Sequence, residues 1–207
     1  STNTASIENI NEDVLYLSAN GALISGIGSG SEAFVSDPHN PSPTIGGATI
    51  STGLDQGPMD QSSLDSRGDI LTYESADLLN DVTISGRLKA NLYVECDQPD
   101  ADISIRLVDL YPDGRSMLIT DGMHRMRFRD GYTQADEAFM NPGNVYNVEV
   151  ELPFTNYTWK AGHQVKIYVG GNNSIRYNLN LQNGSTMYAA GDTNIANIEI
   201  HHNATYP

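Results

Sequence analysis

The chain is poor in four things that usually announce a function. It has one cysteine, Cys96, so no disulfide can form within it and no thiolate zinc cluster can assemble. Only three of its eleven basic side chains are lysines, Lys89, Lys160 and Lys166, against 26 acidic residues, and the formal net charge is -15. A surface that acidic lacks the basic footprint that phosphate backbones and anionic membranes require, which argues against nucleic-acid and membrane partners. No apolar run approaches the 18 or so residues of a membrane-spanning helix. Finally, the Gly-x-Ser-x-Gly elbow of a serine hydrolase is missing. The segment Gly26-Ile27-Gly28-Ser29-Gly30 has the right composition at the wrong spacing and reads as a flexible loop.

The histidines add no site of their own. His39, His124, His163, His201 and His202 form no His-x-x-x-His pair. His201 and His202 are adjacent, so a strand sends them to opposite faces. Acidic loops around Asp97 to Asp102 and Asp109 to Asp113 contain oxygen ligands but not the full calcium-loop pattern, and read as ordinary turns. No catalytic residue, metal site or cofactor is expected from these patterns.

What the chain does have is strand signal. At 207 residues it can bury roughly 70% of the surface its unfolded form exposes, enough for one large β-sandwich. Residues 82–95 alternate: Val82, Ile84, Leu88, Ala90, Leu92 and Val94 on one side, with Thr83, Ser85, Arg87, Lys89, Asn91 and Tyr93 on the other. Shorter strands are predicted at 14–17, 32–35, 70–73, 103–108, 115–120, 123–129, 144–152, 164–169 and 195–200. Tyr111-Pro112-Asp113-Gly114 supplies a hairpin turn. In the 123–129 strand Arg125, Arg127 and Arg129 share one face, and so acidic a chain predicts carboxylate partners for them, Asp109, Asp121 and Asp130 being candidates. No helical periodicity is sustained. The expected fold is all-β, a jelly-roll-type β-sandwich. Residues 1–12 read as a polar lead-in and 13–207 as one domain. Residues 36–68 are rich in Pro, Gly, Ser and Asp and hold no element, which predicts a long segment docked against something.

Five segments in order resemble one hydrolase family. Asp37-Pro38-His39-Asn40-Pro41-Ser42-Pro43-Thr44-Ile45-Gly46-Gly47 is similar to its Asp-Pro-x-x-Pro-x-Pro-Thr-x-Gly-Gly signature. Gly57-Pro58-Met59-Asp60-Gln61 with Arg67-x-Asp69-Ile70-Leu71-Thr72-Tyr73 resembles its next segment. Leu107 to Arg115 and Asp121 to Arg129 resemble its central hairpin, and Gly162-His163 with Asn172-Asn173 through Asn180 its late strands. The family is the cocaine esterase and X-prolyl dipeptidyl peptidase group, with α-amino-acid ester hydrolases and glutaryl acylases. The resemblance is to its C-terminal jelly-roll domain, which implies a galactose-binding-domain-like fold, and covers residues 13–207.

That resemblance implies a non-catalytic accessory domain. The family's Ser, Asp and His triad lies in a preceding α/β-hydrolase domain, the implied partner within the same polypeptide, with support for homo-oligomers as a further implied role. The chain then reads as a piece of a longer ester or amide hydrolase, with its last strand trimmed after Pro207. The loop 46–51 is the part expected to approach the hydrolase cleft, which makes Ile50 and Ser51 the substrate-proximal candidates. A carbohydrate-binding module is the alternative, because sandwiches of this kind often bind sugars. Compartment is left open.

Overall fold

A computed structural model describes residues 13–50 and 52–207. Residues 1–12 and Ser51 lie outside the described residues, so the lead-in and one of the two cleft candidates have no structural account. Among the described residues ten strands form two antiparallel-rich sheets, as the sequence predicts for a jelly-roll sandwich. In chain order they are β1 (Tyr16–Ser18), β2 (Ala22–Ile24), β3 (Ser31–Ser36), β4 (Ile70–Glu74), β5 (Val82–Cys96), β6 (Asp102–Leu110), β7 (Ser116–Arg125), β8 (Val145–Trp159), β9 (Gln164–Gly170) and β10 (Ala196–His201). The six-stranded sheet runs β1-β2-β4-β9-β6-β7 and the four-stranded sheet β3-β10-β5-β8.

The alternation read in β5 is the alternation the sandwich uses. Leu92, Val94 and Cys96 are buried in the core between the sheets, while Asn91 and Lys89 face water. Its partner β8 runs past Leu152, where the predicted strand stops, to Trp159. The register explains why. Gly86 pairs Thr155 but Leu88 pairs Leu152, so β8 carries one extra residue at Pro153 and Phe154. A bulge of that kind reverses which parity faces inward. Val148, Val150 and Leu152 point into the core before it; Thr155 and Trp159 do so after it. The side-chain pattern of the strand therefore breaks at the bulge, although the strand continues.

The core between the sheets is built from such inward residues: Ile103 and Ile105 of β6, Val169 of β9, Tyr73 of β4, and Ile198 and Ile200 of β10. Each side chain of that size removed from water contributes on the order of 1.5–3 kcal/mol. A second, smaller cluster lies on the other side of the six-stranded sheet: Leu64, Ile70, Val108, Leu118 and Tyr168, with Ile45 against it. That sheet is thus covered on both faces, and β6 is buried through all but its last residue. The β6–β7 turn is the predicted one. Gly114 takes φ 91°, Tyr111 N donates to Arg115 O at 2.8 Å, and Gly114 N donates to Tyr111 O at 2.9 Å.

One predicted strand is corrected. The alternating run 123–129 is extended only to Arg125, after which Met126–Phe128 form a 3-10 turn. The three arginines therefore do not share a strand face, because the period of the backbone changes in the middle of the pattern.

Candidate functional site

Residues 37–50 and 52–60 form a strap across the outer face of the six-stranded sheet, held by hydrogen bonds rather than by strand pairing. Bridges tie Pro43 to Ser174 and Asp60 to Met117. Asn172 Oδ1 accepts from Ser42 N, and Thr44 Oγ1 donates to Asn173 Oδ1 at 2.8 Å. Gln61 Nε2 donates to Ile45 O at 2.8 Å, and Asp60 Oδ1 accepts from Ser116 N at 2.9 Å. From below, Arg106 of β6 donates to Ser42 Oγ at 3.1 Å and to Pro43 O at 2.8 Å. That guanidinium is 3% exposed. Burial lowers its pKa to about 10, while Asp121 and Asp69 pull it upward, so it stays charged at neutral pH beneath the strap.

The strap then leaves the sheet at Gly46 and Gly47. Their φ values are 67° and 91°, a region that side chains other than glycine rarely adopt. Space forbids a side chain as well. A Cβ on Gly46 would lie 2.5 Å from Gly57 O, and one on Gly47 would lie 2.8 Å from Arg176 Nη1. Gly47 and Gly57 exchange backbone hydrogen bonds of 2.8 and 3.0 Å. The described residues between them carry Ile50 outward, 95% exposed. Four apolar residues of this segment are expected to form a docking surface. Ile50 and Met59 are exposed as required, whereas Ile45 and Leu54 are partly buried in the domain's own packing.

Arg176 links this segment to a second feature. Its Nη1 donates to Asp121 Oδ1 beside Gly47, and Asp121 Oδ2 accepts from Asn173 at 2.9 Å. The same Arg176 lines a shallow pocket of about 340 Å³ at the β7 edge, with His124, Tyr132, Tyr177 and Tyr188 in its walls. Arg125 and Asp102 meet there in a two-pronged ion pair at 2.7 and 2.8 Å. Burial pushes the Asp102 carboxyl up despite the hydrogen bonds from Arg125 and Asn180.

The arginines do pair with carboxylates of this chain, but largely not with the candidates named from sequence. Arg125 takes Asp102, and Arg127 takes Asp100 at 2.7 Å and Glu137 at 2.9 Å. Arg129 stands 3.6 Å from Asp130, the one expected partner, and donates to Met126 O. Asp121 is taken by Arg176, and Asp109 accepts from Tyr157 at 2.7 Å and lies 2.8 Å from His163 Nδ1. The acidic runs read as turns are largely committed in the same way: Asp100 and Asp102 to arginines, Asp97 to Asn197, and Asp113 to Arg115.

One trio has the look of a relay: Asp37 Oδ1 at 3.1 Å from His39 Nδ1, with Thr193 Oγ1 nearby. Thr193 Oγ1 is 3.3 Å from both ring nitrogens, so it is aligned with neither lone pair and cannot pass a proton as a nucleophile must. Cys96 is buried, and burial pushes its thiol up to about 11, which keeps it protonated and unreactive. The chemistry this surface offers is shape, an exposed apolar tip and fixed charge. Sequence reasoning missed Arg106 as the strap's anchor. The signal available was a charged residue in a strand of Ile, Leu and Val.

A family model described as the X-Pro dipeptidyl-peptidase C-terminal non-catalytic domain matches residues 11–207. Cocaine esterase of Rhodococcus sp. (strain MB1 Bresler) is 30% identical over 183 residues, which is 83% of this chain and 32% of the esterase. Among solved structures, an α-amino acid ester hydrolase superposes with a TM-score of 0.81 at 23% identity, over 91% of this chain and 34% of that one. An aminopeptidase from a marine sediment Thaumarchaeota archaeon gives 0.83 at 23% identity, over 93% and 35%. At that identity the two structures establish the fold alone. This chain spans about a third of the length of each of these proteins.

Proposed function

The chain belongs to the X-Pro dipeptidyl-peptidase C-terminal non-catalytic domain family, and from that premise we propose that it is the accessory domain of a longer serine hydrolase acting on esters or amides. It packs against an α/β-hydrolase domain of the same polypeptide and walls part of the substrate cleft with the loop 46–51. The observation that carries this reading is the coverage. Relatives that match nearly all of this chain are about three times its length, which leaves room for a separate catalytic domain. The loop supports the finer part. Ile50 is 95% exposed on a segment whose base is pinned by Gly47 and Gly57. A pinned base lowers the entropic cost of docking the tip, and covering an isoleucine is worth on the order of 1.5–3 kcal/mol.

The test uses the intact parent enzyme with Ile50→Ala and Ser51→Phe. A contact on the scale of a methylene changes discrimination by about 1–3 kcal/mol, so ratios of kcat/KM across acyl chain lengths should move by roughly 10–200-fold while catalysis persists. Unchanged ratios in both variants would make the loop a connector and remove the cleft role.

A further inference from the structure

The outer face of the four-stranded sheet carries a group that the accessory-domain reading does not use. In β5 and β10 the residues facing outward are Tyr93 and Glu95, and Asn197, Glu199 and His201. The register places Glu199 directly across from Glu95 and His201 across from Tyr93. Directly opposed like charges destabilise a strand pair, and among the described residues no lysine or arginine is ion-paired with either carboxylate. The nearest lysine on the outer row of β5 is Lys89, six residues away, roughly 20 Å at a strand's rise, and it is paired with Glu149 at 2.9 Å. His201 lies one step along from Glu199 on the same row, and its Nε2 is 3.0 Å from Glu95 Oε2. One ligand atom from each of Glu95, Glu199 and His201 lies within 4.8 Å of the other two, and all three residues are half-buried.

The imidazole is also held in place. Tyr206 packs on His201 with ring centroids 5.5 Å apart and on Tyr93 at 5.2 Å. A tight turn fixes Tyr206: Asn203 N donates to Tyr206 O at 2.9 Å, and Tyr206 N donates to Asn203 O at 3.0 Å. The His201 side chain is left 16% exposed, with Nε2 on the side of the carboxylates. Two carboxylates that repel one another and an imidazole nitrogen fixed beside them are what a divalent cation relieves.

We propose that Glu95, Glu199 and His201 bind a divalent transition-metal ion, zinc being the reference case, on the outer face of the four-stranded sheet. The donor set selects the class. Imidazole nitrogen suits zinc, copper and nickel, whereas calcium takes six to eight oxygens and magnesium an octahedron of them. Three protein ligands leave at least one position of a tetrahedral ion to water. Sequence spacing could not reveal the set, because Glu95 is brought to the other two only by strand pairing. The site is independent of the hydrolase reading and stands or falls separately from it.

Isothermal titration of the 207-residue chain with zinc chloride tests it, with calcium chloride as the check on general attraction to an acidic protein. The wild type should bind one zinc ion per chain, and calcium should not compete. Glu199→Gln and His201→Gln should each weaken binding by about tenfold or more, while His39→Ala, which alters an exposed histidine elsewhere, should leave it unchanged. Glu199 faces outward, so its variant keeps the comparison usable even where circular dichroism shows that His201→Gln disturbs the fold. Absence of saturable zinc binding, equal binding by wild type and Glu199→Gln, or loss of binding in His39→Ala would each overturn the site.

Discussion

The two sheets carry polar residues on their outer faces under opposite conditions. On the four-stranded sheet Asn91, Lys89 and Glu149 face water, which satisfies them whatever their neighbours. On the six-stranded sheet the strap and the first residues after it cover Arg106 of β6 and Lys166 of β9, at 3% and 2% exposure. Each charged group there needs a partner from the chain. Lys166 Nζ finds Asp65 at 2.7 Å and Glu74 at 2.9 Å, and Arg106 finds Ser42 and Pro43. An ion pair in water adds little to stability, whereas one partner removed from a dry pair strands the other. The difference teaches that charge on the covered sheet is structural and charge on the open sheet is largely free to vary.

The buried Arg127–Asp100 pair at the end of the covered sheet should show the largest effect. Arg127 and Asp100 are 3% and 0% exposed. Arg127→Met would leave Asp100 buried with only the backbone N–H of residue 127 and the Asn180 amide. A loss of about 3–5 kcal/mol is expected in urea unfolding. Adding Asp100→Asn should recover part of it, because the stranded charge is then removed. A loss below about 1 kcal/mol would erase the distinction between the two faces.

The same contrast decides how much could be read in advance. On β5 water imposes alternation, and the inward residues Leu92 and Val94 are legible one by one. On β6 the cover abolishes the contrast, because Arg106 is as buried as Ile105 beside it. Its partners Ser42 and Pro43 are 64 and 63 residues away in the chain, a distance no local pattern spans. The bulge at Pro153 and Phe154 hid the second half of β8 by reversing its parity. The turn at Met126 likewise separated arginines that look aligned on paper. At the candidate site the Gly46-Gly47 pair was legible, since few other residue types permit its backbone. The exposure of Ile50 was expected only through the resemblance to a family.

A middle-sized effect lies in the tyrosines of the interior and the covered face. Burial first, then the hydrogen bond to Asp65, pushes Tyr168 up to about 12, against the opposing influence of Ser116 and Lys166. Burial likewise raises Tyr73 and Tyr157, the latter with help from Asp109. A group whose folded pKa is raised holds its proton longer in the folded state. Its contribution is complete below the unfolded value near 10 and is lost as pH rises toward the folded one. Unfolding free energy should therefore fall most steeply between about pH 10 and 12. Tyr168→Phe should flatten that fall while leaving neutral-pH stability closer to wild type. Equal slopes in the two proteins would show that Tyr168 is not shielded by the strap.

The smallest effect belongs to the open face and sharpens the contrast from the other side. Lys89 and Glu149 lie 2.9 Å apart with side chains 57% and 41% exposed, a geometry as close as that of the buried pairs. If distance alone set the energy, Lys89→Ala would cost as much as Arg127→Met. Water screens the exposed pair, and two long side chains lose rotamer freedom to form it, so such pairs contribute about 0–1 kcal/mol. Lys89→Ala should accordingly lower the unfolding free energy measured in urea by that amount or less, and the small remainder should shrink further in high salt. A salt-insensitive loss above about 2 kcal/mol would mean that this face is covered as well, and the charge pattern of both sheets would then need the same structural explanation.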